Sequence, residues 1–278
     1  MGLDAVLLPF QFGFMQKAFF MGLIIAVPAA LLSCFLVVKG WALLGDAVSH
    51  AILPGVVLAY LLGAPLIIGA FIAGMTCAMA TGYLTQNSRI KPDTVMGVVF
   101  SGMFGVGIVI YIAIDSALHL DHILFGNILG VGQDDVIMAL AISTVVSIGL
   151  IIKSKDLLLY SFDAIQARTA GLSMGLLHYG LLVAMTLTVV ATLTATGLIL
   201  AIGLMIAPGA IAFLLVRRFS TMMLVAVAVA VTAMGLGIYS SFFFDSAPAP
   251  TIVLVFSLMF IAAFMTKVFR QNHAETVS

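Results

Sequence analysis

Nine stretches of about twenty residues, each almost free of charge, dominate this chain of 278 residues. They lie near 18–38, 42–62, 65–85, 94–114, 135–152, 174–195, 197–216, 220–240 and 250–269. A run of that length, wound as a helix, crosses the ~30 Å hydrocarbon layer of a bilayer. There every backbone N–H and C=O must be satisfied within the protein, which leaves only helices and closed barrels. The runs are continuous rather than alternating, so helices are expected. The rest of the chain offers no other solution: 63% of residues are hydrophobic, 8% are charged, and mean hydropathy is +1.28. A soluble domain carries about 25% charged residues and could not cover itself with this composition. The expected fold is therefore all-α, a polytopic membrane helix bundle in one transmembrane domain over 1–278, with eight to nine transmembrane segments. Zero net charge argues against a nucleic-acid partner. No basic cluster precedes the first apolar run, so no cleavable signal is expected. Cys34 and Cys77 fall in different runs and read as free buried thiols.

Ten of the eleven basic residues fall on one side of such a bundle: Lys39, Arg89, Lys91, Lys153, Lys155, Arg168, Arg217, Arg218, Lys267 and Arg270. Only Lys17 falls on the other. The positive-inside rule makes the first group cytoplasmic and places the C-terminal tail there too. The outer side then collects Asp115, Asp121, Asp134, Asp135 and Asp245, with His119 and His122. Such a mouth would draw in cations. Positive-inside sorting, which leaves acids outside, accounts for the same distribution. His119, Asp121 and His122 form a candidate outer-mouth cluster, although their spacing fits no closed metal site.

Against this background one stretch stands out, Gly40-Trp41-Ala42-Leu43-Leu44-Gly45-Asp46-Ala47-Val48-Ser49-His50-Ala51-Ile52-Leu53-Pro54-Gly55. Residues four apart share a helix face, so Asp46 and His50 can meet one ligand. A carboxylate at bilayer depth costs about 2.5–3.5 kcal/mol on insertion scales, which marks it as functional by default. Pro54 has no N–H for the His50 carbonyl, leaving that oxygen spare. Carboxylate, imidazole and carbonyl on one wall suit a divalent cation of borderline hardness. The plain alternative is a polar pair that holds helices together. Gly40, Gly45 and the Pro54-Gly55 pair predict a bent or partly unwound segment near 42–62, tolerable where it lines a cavity. One broken segment with eight true spans thus stands beside nine.

Elsewhere, Gly97, Ser101 and Gly105 recur every four residues, a small face for close helix packing. Thr192, Thr194, Thr196, Gly197, Gly203, Pro208 and Gly209 interrupt an apolar region and allow kinks. The longest cytoplasmic connection, about 156–172, is not a flexible linker. Ser161 or Asp163 can cap a short helix, and Ala164, Ala167 and Ala170 recur ahead of a closing Gly171. This smooth ridge, bearing Asp163 and Arg168, suits a cleft in another protein; a helix lying on the membrane fits as well.

Two of these stretches resemble a known family. Lys39 to Gly55, with its Gly45-Asp46…Ser49-His50 core, is similar to the membrane permease subunits of ATP-binding-cassette importers for manganese, zinc and iron, closest to the manganese/iron branch. The 156–172 segment resembles that family's cytoplasmic coupling segment, and Phe125 to Leu129 and Gly197 to Gly209 resemble other stretches of the family. The resemblance implies a multi-pass subunit of the bacterial cytoplasmic membrane, with Asp46 and His50 as ligands of the transported metal. It implies Asp163, Ala164, Ala167, Arg168 and Gly171 as the seat of an ATPase. It further implies cytoplasmic ATPase subunits, an extracytoplasmic metal-binding protein and a second permease copy or relative, in alternating access, with no permanent cofactor.

The chain carries no Gly-x-x-x-x-Gly-Lys-[Ser/Thr] loop to hydrolyse ATP itself, and no His-Glu-x-x-His for metalloprotease chemistry. A proton-coupled secondary metal transporter is the alternative, since a buried carboxylate can also carry a proton. A membrane anchor or sensor that moves nothing is a third reading.

Overall fold

Each apolar run becomes a helix, and each helix ends where the sequence withdraws a hydrogen bond or a Cβ. The computed structural model describes residues 8–114 and 128–275. After a turn of helix at 8–11 come α1 (Gly13–Lys39), α2 (Ala42–Ala51), α3 (Leu53–Leu61), α4 (Leu66–Asn87) and α5 (Pro92–Ala113). A 3-10 turn at Ile128–Gly130 leads to α6 (Gln133–Ile152), α7 (Ser154–Phe162) and α8 (Ala164–Thr169). Then follow α9 (Met174–Leu215), α10 (Phe219–Phe244) and α11 (Pro248–Glu275). No strand occurs among the described residues, and nine helical stretches there are long and apolar enough to cross a membrane.

The core gathers around α1, which packs mainly on α9 and α10. Ala26, Ala29, Ala30, Leu32, Phe35 and Leu36 of α1 are fully buried. A helix apolar on every side is one enclosed by other helices, and the alanines let those neighbours approach. Its end is decided by Gly40, whose φ of 73° is a left-handed conformation that glycine adopts without Cβ strain. The Gly40 N–H bonds the Val37 carbonyl at 3.2 Å and the Trp41 N–H bonds the Leu36 carbonyl at 2.8 Å, capping the last turn. This sharp stop lets the chain turn at once into α2. Cys34 and Cys77 are buried free thiols.

The expected unwinding near 42–62 is smaller than its glycines suggest. The interruption is confined to Ile52, between α2 and α3, and Ile52 keeps helical angles of φ −67° and ψ −27°. Pro54 falls in the first turn of α3, where a missing N–H costs little. The two pieces together form one candidate span, Ala42–Leu61, so the described helices supply nine rather than eight plus a broken one. Gly55 serves packing instead. A Cβ added there would lie 2.0 Å from the Gly69 carbonyl oxygen, and one added at Gly69 would lie 2.1 Å from that of Gly55. The backbones of α3 and α4 cross in contact.

The true break is in α9. Its 42 residues would make a straight rod about 63 Å long, twice the thickness of a bilayer's hydrocarbon core. Gly197 interrupts it with φ 78° and ψ 178°, a region essentially closed to residues with a Cβ. Two candidate spans are cut from it, Met174–Leu193 and Ala195–Leu215, with the break near the start of the second. The hydroxyls leading to the break are satisfied within the helix: Thr188 Oγ1 donates to the Ala184 carbonyl at 2.7 Å, Thr192 to Thr188 at 2.7 Å and Thr196 to Thr192 at 2.9 Å. The Gly97, Ser101 and Gly105 face behaves differently. Nothing lies within 4 Å of a Cβ built on Gly97 or Gly105, and Ser101 is exposed. The face is not used for packing within the described chain.

Candidate functional site

Helix α2 is a ten-residue rod with Leu44, Gly45, Ala47, Val48, Ser49 and Ala51 buried, which fixes its rotation. Asp46 and His50 are thereby held on the remaining side. His50 Nε2 and Asp46 Oδ1 stand 3.3 Å apart, with the side chains 26% and 29% exposed. Two ligand atoms on one ion bonded at about 2.1 Å are roughly 3.0–3.4 Å apart, a spacing that this pair matches. At 1.5 Å per residue, Asp46 lies about 6 Å and His50 about 12 Å along the Ala42–Leu61 span from its basic end. The pair therefore falls within a stretch long and apolar enough to cross a membrane, nearer the end that follows Lys39.

Helix α5 walls the site with aromatic rings. The Phe100 ring stacks on His50 at 5.6 Å, and Phe104 meets it edge-on at 5.4 Å. Sequence reasoning missed both, although their four-residue spacing on a membrane helix was the available signal. His50 Nδ1 is buried and has no hydrogen-bond partner among the described residues. Ser49, by contrast, is turned inward and its hydroxyl donates to the Gly45 carbonyl at 2.7 Å, so it adds nothing to the donor set. The His50 carbonyl is not spare either, because the Ile52 N–H turns to it across the break. Among the described residues no third histidine, cysteine or acid joins the pair. One chain presents a carboxylate and an imidazole, two of the roughly four to six donors that a divalent transition metal takes.

The 156–172 connection folds into α7 and α8. Asp163, rather than Ser161, is the cap: its Oδ1 accepts from the N–H groups of Ile165 at 2.9 Å and Gln166 at 3.0 Å. Ser161 bonds the Leu157 carbonyl instead. Gly171, with φ 78°, closes the segment. Asp163, Ala164, Arg168, Ala170 and Gly171 are exposed, whereas Ala167 is fully buried. Ala167 thus anchors the helix to its own chain and is not part of an outward ridge. Phe162 and Ile165, 69% and 79% exposed, are large apolar side chains standing beside the cap. They were hidden in the sequence because an isolated Phe or Ile reads as core.

His119, Asp121 and His122 lie outside the described residues, as do Asp115 and residues 125–127. Of the remaining acids assigned to the outer side, Asp134 and Asp135 stand in the first turn of α6. The Asp135 carboxylate accepts from the Gly132 N–H at 3.2 Å, and Asp245 ends α10 in a left-handed conformation. These two positions shape helix ends, a role that composition could not reveal.

Residues 11–267 match the model of a family described as the ABC 3 transport family. The chain is 48% identical over 260 residues to a protein of Haemophilus influenzae named a probable iron transport system membrane protein, covering 94% of this chain and 96% of that one. It is 40% identical over 255 residues to the manganese transport system membrane protein MntB of Synechocystis, covering 92% and 83%. Among solved structures it is similar to a chain of PsaBC from Streptococcus pneumoniae in complex with Fab, with a TM-score of 0.85, 33% identity and 95% of each chain covered.

Proposed function

From the chain's membership of the ABC 3 transport family we propose that it is the membrane permease subunit of an ATP-driven importer of a divalent transition metal, manganese or iron, in a bacterial cytoplasmic membrane. The observation that carries this reading is the pairing of Asp46 Oδ1 and His50 Nε2 at 3.3 Å on one face of a membrane helix. Relatives named for iron and for manganese support the choice of cargo. Zinc is compatible with the same donors, and selection among the three rests on geometry and supply.

In the proposed cycle the cation arrives from an extracytoplasmic binding protein and pauses between Asp46 and His50. A second permease, related by a two-fold axis, supplies a second carboxylate and imidazole, raising the side-chain donors from two to four. ATP binding draws two partner ATPases together beneath the membrane. Their motion enters this chain through α8, and the spans reopen toward the cytoplasm, where the cation leaves.

The test is Asp46→Asn in the complete transporter reconstituted in liposomes with Mn2+ outside. The side chain keeps its size and loses its charge, so uptake should fall while the subunits still co-purify. Wild-type uptake kinetics in that variant would remove the ligand role. Uptake by the permease alone, driven by a pH gradient without ATP, would instead establish the proton-coupled alternative.

A further inference from the structure

Lys39, Trp41, Tyr160 and His178 come from four elements and meet in one cluster. Lys39 ends α1, Trp41 precedes α2, Tyr160 lies on α7 and His178 lies near the start of α9. The Lys39 Nζ stands 3.5 Å from the centroid of the Tyr160 ring and 4.7 Å from that of Trp41. The same ammonium donates to the Tyr160 carbonyl at 3.5 Å. The Tyr160 hydroxyl and His178 Nδ1 share a hydrogen bond of 2.8 Å, and the His178 ring meets Trp41 edge-on at 5.5 Å. Burial pushes the Tyr160 phenol up to about 12, so its proton stays in place at physiological pH. No carboxylate among the described residues is within ion-pair distance of Lys39. Its counter-partners are ring faces, so the energy of the contact depends on where those rings stand.

Two things distinguish this cluster from ordinary packing. It lies where the cytoplasmic segment meets the helix carrying the site: Tyr160 is three residues before the Asp163 cap, and Trp41 is five before Asp46. It also borders open space. A cavity of ≈ 70 Å³ is lined by Trp41, Thr81, Thr85, Met96 and His178 among others. The hydroxyl oxygens of Thr81 and Thr85 are buried without partners among the described residues. Trp41 and His178 thus have room on one side that a close-packed core would deny them.

We propose that Lys39, Trp41, Tyr160 and His178 form the joint through which movement of α7 and α8 is passed to α2 and so to Asp46 and His50. Lys39 and Tyr160 are positioning residues for metal transfer; they act through α2 and do not touch the cation. Because Lys39 and Trp41 flank the single capping residue Gly40, a displacement of Tyr160 acts on Trp41, the residue immediately before the short rod that carries the donors. The proposal rests on α8 being the seat of the ATPase.

The experiment uses the complete transporter in liposomes and reads Mn2+ imported per ATP hydrolysed, ATPase retained by the permease, and Mn2+ retained by the assembled complex at equilibrium. Lys39→Gln and Tyr160→Leu should each lower the Mn2+ carried per ATP by about fivefold. ATPase retention and Mn2+ retention should stay at wild-type levels. Lys39→Arg, which keeps the cation over the rings, should restore the ratio. An unchanged ratio in Lys39→Gln overturns the joint. So does a parallel fall in hydrolysis and uptake, or loss of the ATPase, since either indicates a structural role only. Failure of Lys39→Arg to rescue overturns the cation's part in it. Full uptake in Asp46→Asn is a separate outcome that removes the metal pause site, and the joint's purpose with it.

Discussion

The crossing of α3 and α4 at Gly55 and Gly69 gives the sharpest test of how the site is held. In Gly55→Ala the new methyl would lie 2.0 Å from the Gly69 carbonyl oxygen and 2.6 Å from the Ala73 Cβ. An ordinary carbon–oxygen contact is about 3.4 Å or more, and backbone cannot swing aside as a flexible side chain can, so the two helices must part by more than about 1 Å. Overpacking of this kind costs about 1–3 kcal/mol, and here it falls in the helix that continues directly from Ile52 and α2. The expected outcome is a lower unfolding midpoint in detergent for Gly55→Ala and for Gly69→Ala. The double variant should be less than additive, because both methyls enter one gap. Gly180→Ala is the control: nothing lies within 4 Å of its Cβ position, and alanine is the better helix former. Intrinsic fluorescence or scanning calorimetry on the purified protein reads all four. A wild-type midpoint for Gly55→Ala would refute the claim that contact between backbones fixes α3 on α4.

Other expectations follow from single positions. Asp163→Ala removes the acceptor of two N–H groups from a helix of only six residues, at a cost of about 1 kcal/mol, whereas Asp163→Asn keeps most of the cap. ATPase co-purification should weaken in the first and hold in the second. Arg168→Glu reverses an exposed charge on α8; ATP turnover should separate from Mn2+ uptake or the ATPase should loosen, as a paired hydrolysis and uptake assay would report. Gly197→Ala places a Cβ at φ 78° and ψ 178°, at a cost of about 1–3 kcal/mol. Lower yield of folded protein in membranes is expected, and an unaltered yield and midpoint would show that the break tolerates a side chain.

Much of the architecture was legible because a bilayer imposes so few solutions. Runs of about twenty apolar residues correspond to the nine spans with ends displaced by a few residues, as with 42–62 against Ala42–Leu61. The pairing of Asp46 with His50 was legible for the same reason: four-residue spacing puts two side chains on one face wherever a helix forms. Roles decided by neighbours distant in sequence were not legible. Gly55 looked like part of a bend and is a contact with Gly69; Ala167 looked like outer surface and is buried; the His50 carbonyl looked spare and is met by the Ile52 N–H. The small face of α5 packs on nothing among the described residues, which no periodicity could disclose.

By itself, then, the order of residues determined that this chain lives in a membrane and that Asp46 and His50 share one helix face. Those follow from local pattern, helix pitch and the cost of charge in hydrocarbon. Tertiary structure alone decided that Phe100 and Phe104 enclose His50, that α9 breaks at one glycine, and that Lys39 rests on rings from two other elements. Such contacts join segments tens to more than a hundred residues apart. They depend on how each rod is rotated against the rest, which is fixed only when the side chains of all of them interlock.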